Sequence, residues 1–204
     1  MKELNKEYIV AKYQYYNDEF LINKYGIASN PAYLKIKSID DGINQYLKTE
    51  DDIKVKFGGF LELELLKDFN GNYTVHSELR AYNYNHSFIA DLSIHNVDYN
   101  YLWDNPEKML GSLQCIIEIK YCNFNKPEYG MNLIYHDIDK LNTLEPNVLR
   151  FLMIIDEYNG LKDEYIAEIL NRTKDKNITI LSKSQDAFKM GLRYCNTRVG
   201  FVII

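Results

Sequence analysis

Cysteine is scarce: Cys115, Cys122 and Cys195 are the three in 204 residues. They form no CxxC pair and no even-numbered framework, which excludes a disulfide-stapled fold and points to reduced thiols. Histidine is equally thin, and His76, His86, His95 and His136 show none of the close spacing that zinc sites use. Long apolar runs are missing. The longest, Phe151 to Ile155, is far too short to cross a bilayer. The opening stretch, Met1 to Tyr16, mixes charges with tyrosines and lacks the apolar block of a signal peptide. A cytoplasmic protein with no membrane partner is the expectation. Proline is limited to Pro31, Pro106, Pro127 and Pro146, and no repeat or low-complexity linker appears. One domain is therefore expected overall: a helical segment over 1–55 packing on a core over 56–204.

What is present looks globular. Hydrophobic residues make up 46% and charged residues 26%, which argues against disorder. The formal net charge is −5, so no broad attraction to nucleic acid is advertised. A local basic surface, or an acidic site that holds metal, stays open. The 18 tyrosines accompany plentiful Asn, Lys and Ile. Composition bias and packing explain them more simply than a base-stacking surface.

The apolar pattern predicts helices first. Met1 to Tyr25 reads as one, closed by Gly26, and Ser38 can cap another over 39–48. Thr49 can cap a third, whose apolar positions Phe57, Phe60, Leu61, Leu65 and Phe69 fall at helical spacing before Asn70-Gly71-Asn72 ends it. Gly58-Gly59 inside it either weakens the helix or marks a close packing point. Tyr73 to Ala81 and Phe88 to Ile94 then alternate around a turn at Asn83 to His86, a β-hairpin signal. A strand follows over Leu113 to Tyr121. Pro127 opens a helix to about Leu144 with the stripe Ile134, Ile138, Leu141. Val148 to Ile155 is an apolar strand, Asp163 to Asn171 a helix, Ile178 to Leu181 a strand and Val199 to Ile204 a last strand. This order predicts an α/β sandwich around a mixed sheet.

The chemistry concentrates between Glu78 and Lys120. Asp91 is a single acid set in the β-pattern I-A-D-L-S-I. Glu118 and Lys120 interrupt the apolar strand I-I-E-I-K-Y. Residues two apart on a strand share a face, so Glu118 and Lys120 point one way while Ile117, Ile119 and Tyr121 point the other. Charges in mid-strand are costly unless they are paired, metal-bound or open to a solvent cleft. Two carboxylates beside a lysine suit metal-assisted phosphodiester hydrolysis. Mg²⁺, with Mn²⁺ as a substitute, takes oxygen ligands, and a lysine can position a water and stabilise phosphate oxygens. Asp91 and Glu118 are the expected metal ligands, the Ile119 backbone carbonyl an added one, and Lys120 the catalytic lysine.

The arrangement Asp91, then Glu118-Ile119-Lys120, resembles the PD-(D/E)xK nuclease superfamily. The resemblance implies a restriction-endonuclease-like α/β fold and a Mg²⁺-dependent nuclease. It covers roughly Leu61 to Ile155. Glu78, in H-S-E-L-R, stands where many members carry a further active-site acid, and D-I-D-K-L (Asp137 to Leu141) matches the helix that follows the ExK strand. The sequence departs from the pattern at Ala90, where proline commonly precedes the Asp, and in a long spacer holding Trp103.

Each residue also has a plainer reading. Glu118 and Lys120 can be a salt bridge on an exposed sheet face, Asp91 a polar strand end, and Glu78 a solvated acid. Arg80 either neutralises Glu78 or contacts phosphate. His136 and Lys140, four apart, face either the substrate cleft or solvent, and His76 suits a surface or core position better than an assisting role. Lys120, Lys126, Lys140, Arg150, Arg172, Lys174 and Lys176 are candidates for a basic rim. Nucleic acid is the expected partner, DNA ahead of RNA, with a homodimer or protein partner supplying further affinity. The rival function is a nuclease-fold interaction protein without catalysis. One energetic expectation follows: without metal, Asp91 and Glu118 repel, so Asp91→Asn should stabilise the metal-free protein.

Overall fold

The structure is a computed structural model that describes residues 3–16, 50–78, 89–97, 110–122, 127–156, 162–174, 176–181 and 198–199. The expected helix over 39–48, the hairpin turn, Arg80, Trp103, Lys126 and residues 200–204 lie outside them.

Helix α1 covers Lys6–Tyr15. Asn5 caps it, its side-chain oxygen accepting from the Tyr8 amide at 2.9 Å. Helix α2, Glu50–Phe69, is held by the stripe Phe57, Leu61, Leu65 and Phe69, all buried. It stops at Asn70 and Gly71, both at positive φ, the left-handed exit that these two residue types tolerate best. The two glycines of α2 differ. A Cβ on Gly58 would meet Leu92 Cδ2 at 3.0 Å, whereas one on Gly59 would meet nothing within 4 Å. Gly58 is thus the close packing point against the sheet.

Strands β1, Tyr73–Ser77, and β2, Leu92–Val97, pair antiparallel, Ser77 opposite Leu92. Strand β3, Leu110–Cys122, pairs antiparallel with β2 through Leu92 opposite Ile117, with a register shift near His95. Helix α3, Pro127–Asn142, crosses back to β4, Leu149–Asp156, which lies parallel to β3. Helix α4, Asp163–Thr173, leads to β5, Ile178–Leu181, parallel to β4. A short β6, Arg198–Val199, pairs antiparallel with the end of β4. The sheet is mixed, in the order β1-β2-β3-β4-β5. The expected strand ends move slightly: the second hairpin strand starts at Leu92 rather than Phe88, with Ile89 forming an isolated bridge, and Val148 precedes β4.

Strand parity sorts the core into two layers. Cys115, Ile117, Ile119, Phe151 and Met153 face α1 and α2. Ile116, Leu152, Ile154 and Ile180 face α3 and α4, where Ile134, Ile138, Leu141 and Ile169 cover them. Because α1 and α2 share one apolar cluster with the sheet, the N-terminal helix belongs to the same core. Lys12 ties the two helices further by pairing with Glu64 and, at 2.8 Å, with Asp68. Among the described residues no helix is long and apolar enough to cross a membrane.

Arg150 departs from the basic rim expected of it. It is buried, and its guanidinium donates to the carbonyls of Leu144 at 2.7 Å and Lys176 at 3.2 Å. Strand alternation turns it inward, where it satisfies two loop carbonyls instead of meeting phosphate.

Candidate active site

Glu118 and Lys120 leave β3 on the side of α3, sharing the parity of Ile116. Glu118 is 1% exposed. Its Oε2 accepts from Lys140 Nζ at 2.8 Å, while its Oε1 is buried without a hydrogen-bond partner. Lys140 also donates to the Ile89 carbonyl at 2.5 Å. Lys120 Nζ lies 3.2 Å from Asp137 Oδ2, near enough for an ion pair although that oxygen has no well-aligned hydrogen bond. A charged mid-strand pair is therefore sustained by partners on the helix above it, not by solvent.

Asp91 stands immediately before β2, one step beyond the Leu92–Ile117 pairing, so it sits beside Glu118. Its Oδ2 accepts from the Ile119 amide at 2.7 Å. The N–H and C=O of one strand residue point to the same side, so the Ile119 carbonyl is directed toward Asp91 as well. Asp91 Oδ1 lies 3.0 Å from Lys54 Nζ. Lys54 comes from α2, in the opposite helical layer, and also reaches Glu78 Oε1 at 3.0 Å and Asp51 Oδ1 at 3.3 Å. Glu78 ends β1. Its amide donates to the Asp91 carbonyl at 3.3 Å, and its φ of 54° is a left-handed conformation that costs an ordinary side chain about 1–2 kcal/mol. Backbone outliers of this kind gather at functional sites.

Five carboxylates, those of Asp51, Glu78, Asp91, Glu118 and Asp137, thus share three ammonium groups, those of Lys54, Lys120 and Lys140. Burial pushes the Glu118 carboxyl up to about 8; Lys140 opposes the shift, and the charges on Asp91 and Asp137 add to it. Burial likewise raises Asp137, against the pull of Lys120. At Lys54 burial opposes the charge, but hydrogen bonds to Glu78 and Asp91 outweigh it and hold the ammonium above its ordinary range.

The structure brings together Asp91, Glu118, Lys120, Ile119 and, at the margin, Glu78, whose side chain is 60% exposed. It alters three expectations. Lys140 faces the site, but as a hydrogen-bond donor to Glu118 rather than as an open phosphate contact. His136 is exposed, and its neighbour Asp137 turns inward instead. Like-charge repulsion is not what governs Asp91: with Lys54 on one oxygen and an amide on the other, Asp91→Asn should weaken the metal-free fold, not strengthen it.

The sequence alone gives no site role to two of these residues: Lys54 goes unnamed, and Asp137 enters only as the first residue of D-I-D-K-L. The signal for both was helical spacing. Asp137 is three residues after Ile134 and four before Leu141, on the buried stripe of α3. Lys54 is three before Phe57, on the buried stripe of α2. A charge at a core-facing position needs a partner.

Comparison with protein-family models, with curated proteins and with solved structures yields no match. Among the described residues no group of three or more His, Cys, Asp or Glu side chains forms a ready metal cage. Two carboxylates, however, suffice for Mg²⁺ when water and substrate oxygens complete the shell. The unpartnered Glu118 Oε1 beside Asp91 fits such a cation, because a hard positive charge satisfies that oxygen and relieves both acids together.

Proposed function

We propose that the protein is a Mg²⁺-dependent nuclease, with DNA as its substrate, built on a restriction-endonuclease-like core. The observation that carries this reading is Glu118: a fully buried acid with one oxygen unpartnered, next to Asp91 and on the strand face of Lys120. The order α2, β1–β2 hairpin, β3, α3, β4 is consistent with that core, and so is Asp91 leading into the strand beside the one that bears Glu118 and Lys120.

Asp91, Glu118 and the Ile119 carbonyl would hold the cation, with Glu78 at the margin. When bound, the cation lowers the pKa of water and neutralises charge developing on phosphate. The chain's own groups do the rest. Lys140 fixes Glu118 Oε2 and so aims Oε1 into the site. The Ile119 amide fixes Asp91 Oδ2. Asp137 holds the Lys120 ammonium, whose N–H groups orient water and stabilise the phosphate oxygens as they gain charge. The charge of −5 makes unaided binding to nucleic acid weak. With Arg150 buried, affinity comes from other local cations, a second copy or a protein partner.

The rival reading, a nuclease-fold interaction protein without catalysis, draws on the lysine partner that each acid has. It leaves the orphaned oxygen of Glu118 without a purpose. Supercoiled plasmid, single-stranded DNA and RNA, each incubated with Mg²⁺, Mn²⁺ or EDTA, separate the cases. The expected result is cleavage of DNA with either metal and none in EDTA. Cleavage of RNA alone reassigns the substrate. Intact substrates throughout favour the interaction protein.

A further inference from the structure

Lys54 is the one lysine of the site that comes from the α1/α2 layer, and its place among the acids is unlike that of the other two. Lys120 and Lys140 each face an acid that the α3 layer shares with β3. Lys54 instead stands among Asp51, Glu78 and Asp91, at 3.3, 3.0 and 3.0 Å. Its side chain is only 9% exposed, whereas those of Asp51 and Glu78 are 79% and 60% exposed. Ion pairs that open to solvent are screened and weak, so Asp91, at 16% exposure, is the partner that matters most.

We infer that Lys54 is a resident counter-cation: its ammonium holds Asp91 and Glu78 in the metal-free protein and competes with the divalent cation for them. This rests on the metal-site reading proposed above. Three observations carry it. The ammonium lies at hydrogen-bonding distance from two acids of the proposed site, the place where a positive charge is needed. It is anchored on a rigid helix whose neighbouring turn packs against β2 through Gly58 and Leu92, so it is preorganised and not a wandering surface charge. Its third partner, Asp51, is an exposed acid outside the proposed ligand set that can keep the ammonium paired once Asp91 turns to a metal. Lys54 is thus a positioning residue. It keeps acids from repelling one another when no metal is bound, at the cost of some cation affinity.

The test compares wild type, Lys54→Met and Lys54→Arg, all stripped with EDTA and then titrated with Mn²⁺ alone. Binding is followed by calorimetry and by melting temperature. Lys54→Met removes the charge and keeps the stem. It should melt lower than wild type in EDTA, bind Mn²⁺ about tenfold more tightly, the scale set by removing one nearby, partly screened charge, and gain more melting temperature on saturation. Lys54→Arg should bind Mn²⁺ as wild type does. Equal or weaker binding by Lys54→Met, with wild type binding normally, overturns the counter-cation role and leaves the metal site standing. No Mn²⁺ binding by any of the three overturns both. Should Lys54→Met not fold, reductive methylation of wild type read by mass spectrometry takes its place. Competition is reciprocal, so saturating Mn²⁺ should speed modification of Lys54, and an unchanged or slower rate overturns the role.

Discussion

Lys120→Met is expected to lower the rate of Mg²⁺-dependent phosphodiester hydrolysis by about 10²- to 10⁴-fold, the range that one positioned proton-handling group supplies. The methionine keeps the apolar stem on β3 and removes only the ammonium. It also removes the charge beside Asp137 Oδ2, 3.2 Å away. Asp137 is 5% exposed and its carboxyl is already raised by burial, so the variant should hold a proton there more tightly and lose more stability than wild type as pH rises above the unfolded carboxylate range. A melting curve for each sample separates that loss from the catalytic one. Product formation is measured at saturating Mg²⁺ with folded protein. A rate within a few-fold of wild type would remove Lys120 from the chemistry.

Much of the frame around this lysine is legible in the sequence because it rests on local periodicity. Ile134, Ile138 and Leu141 announce the buried face of α3. The alternation I-I-E-I-K sends Glu118 and Lys120 to one face of β3 and Ile117 and Ile119 to the other, and the two apolar clusters follow that division. The partners of the charges are less legible, since they depend on packing between distant segments. Lys54 sits among Glu50, Asp51 and Asp52 and reads as part of a solvated helix start until its place on the Phe57 stripe is noticed. His136 and Lys140 are correctly spaced for one helix face, yet Asp137 shares the inward face with Lys140 and His136 does not. Arg150 reads as a rim cation because its sequence neighbours give no sign that two loop carbonyls need its guanidinium. The sign expected for Asp91→Asn reverses for the same reason: the sequence displays the like charge of Glu118 and hides the opposite charge of Lys54.

Glu118→Gln carries the second large effect, on stability as a function of pH. Burial first, then the charges of Asp91 and Asp137, raise the folded Glu118 carboxyl to about 8 against the opposing pull of Lys140. An unfolded glutamate titrates near 4.3. Between these values the metal-free fold binds a proton that the unfolded chain has released. The unfolded state binds fewer protons, so stability falls as pH rises across this window. Glutamine has the shape of the protonated acid and does not titrate. In EDTA the variant should match wild type near pH 5 and exceed it increasingly up to pH 8, by a few kcal/mol at the upper end, each pH unit across the window being worth about 1.4 kcal/mol. The contribution of Asp137 runs in the same direction in both proteins and largely cancels in the comparison. Urea denaturation at pH 5, 6, 7 and 8 measures the difference. A constant gap, or one that shrinks toward pH 8, would mean that Glu118 is ionised throughout and simply paired with Lys140.

The most direct test of a divalent-cation site between Asp91 and Glu118 is a Mn²⁺ titration at pH 8 of EDTA-stripped protein, read as bound ions per chain. Wild type and Lys120→Met should each bind one ion at this site, because the lysine is not a ligand. Asp91→Asn and Glu118→Gln should each lose it. Absence of saturable binding in wild type, or binding that survives both substitutions unchanged, would contradict the metal site and leave the acids and lysines as an ion-pair network alone.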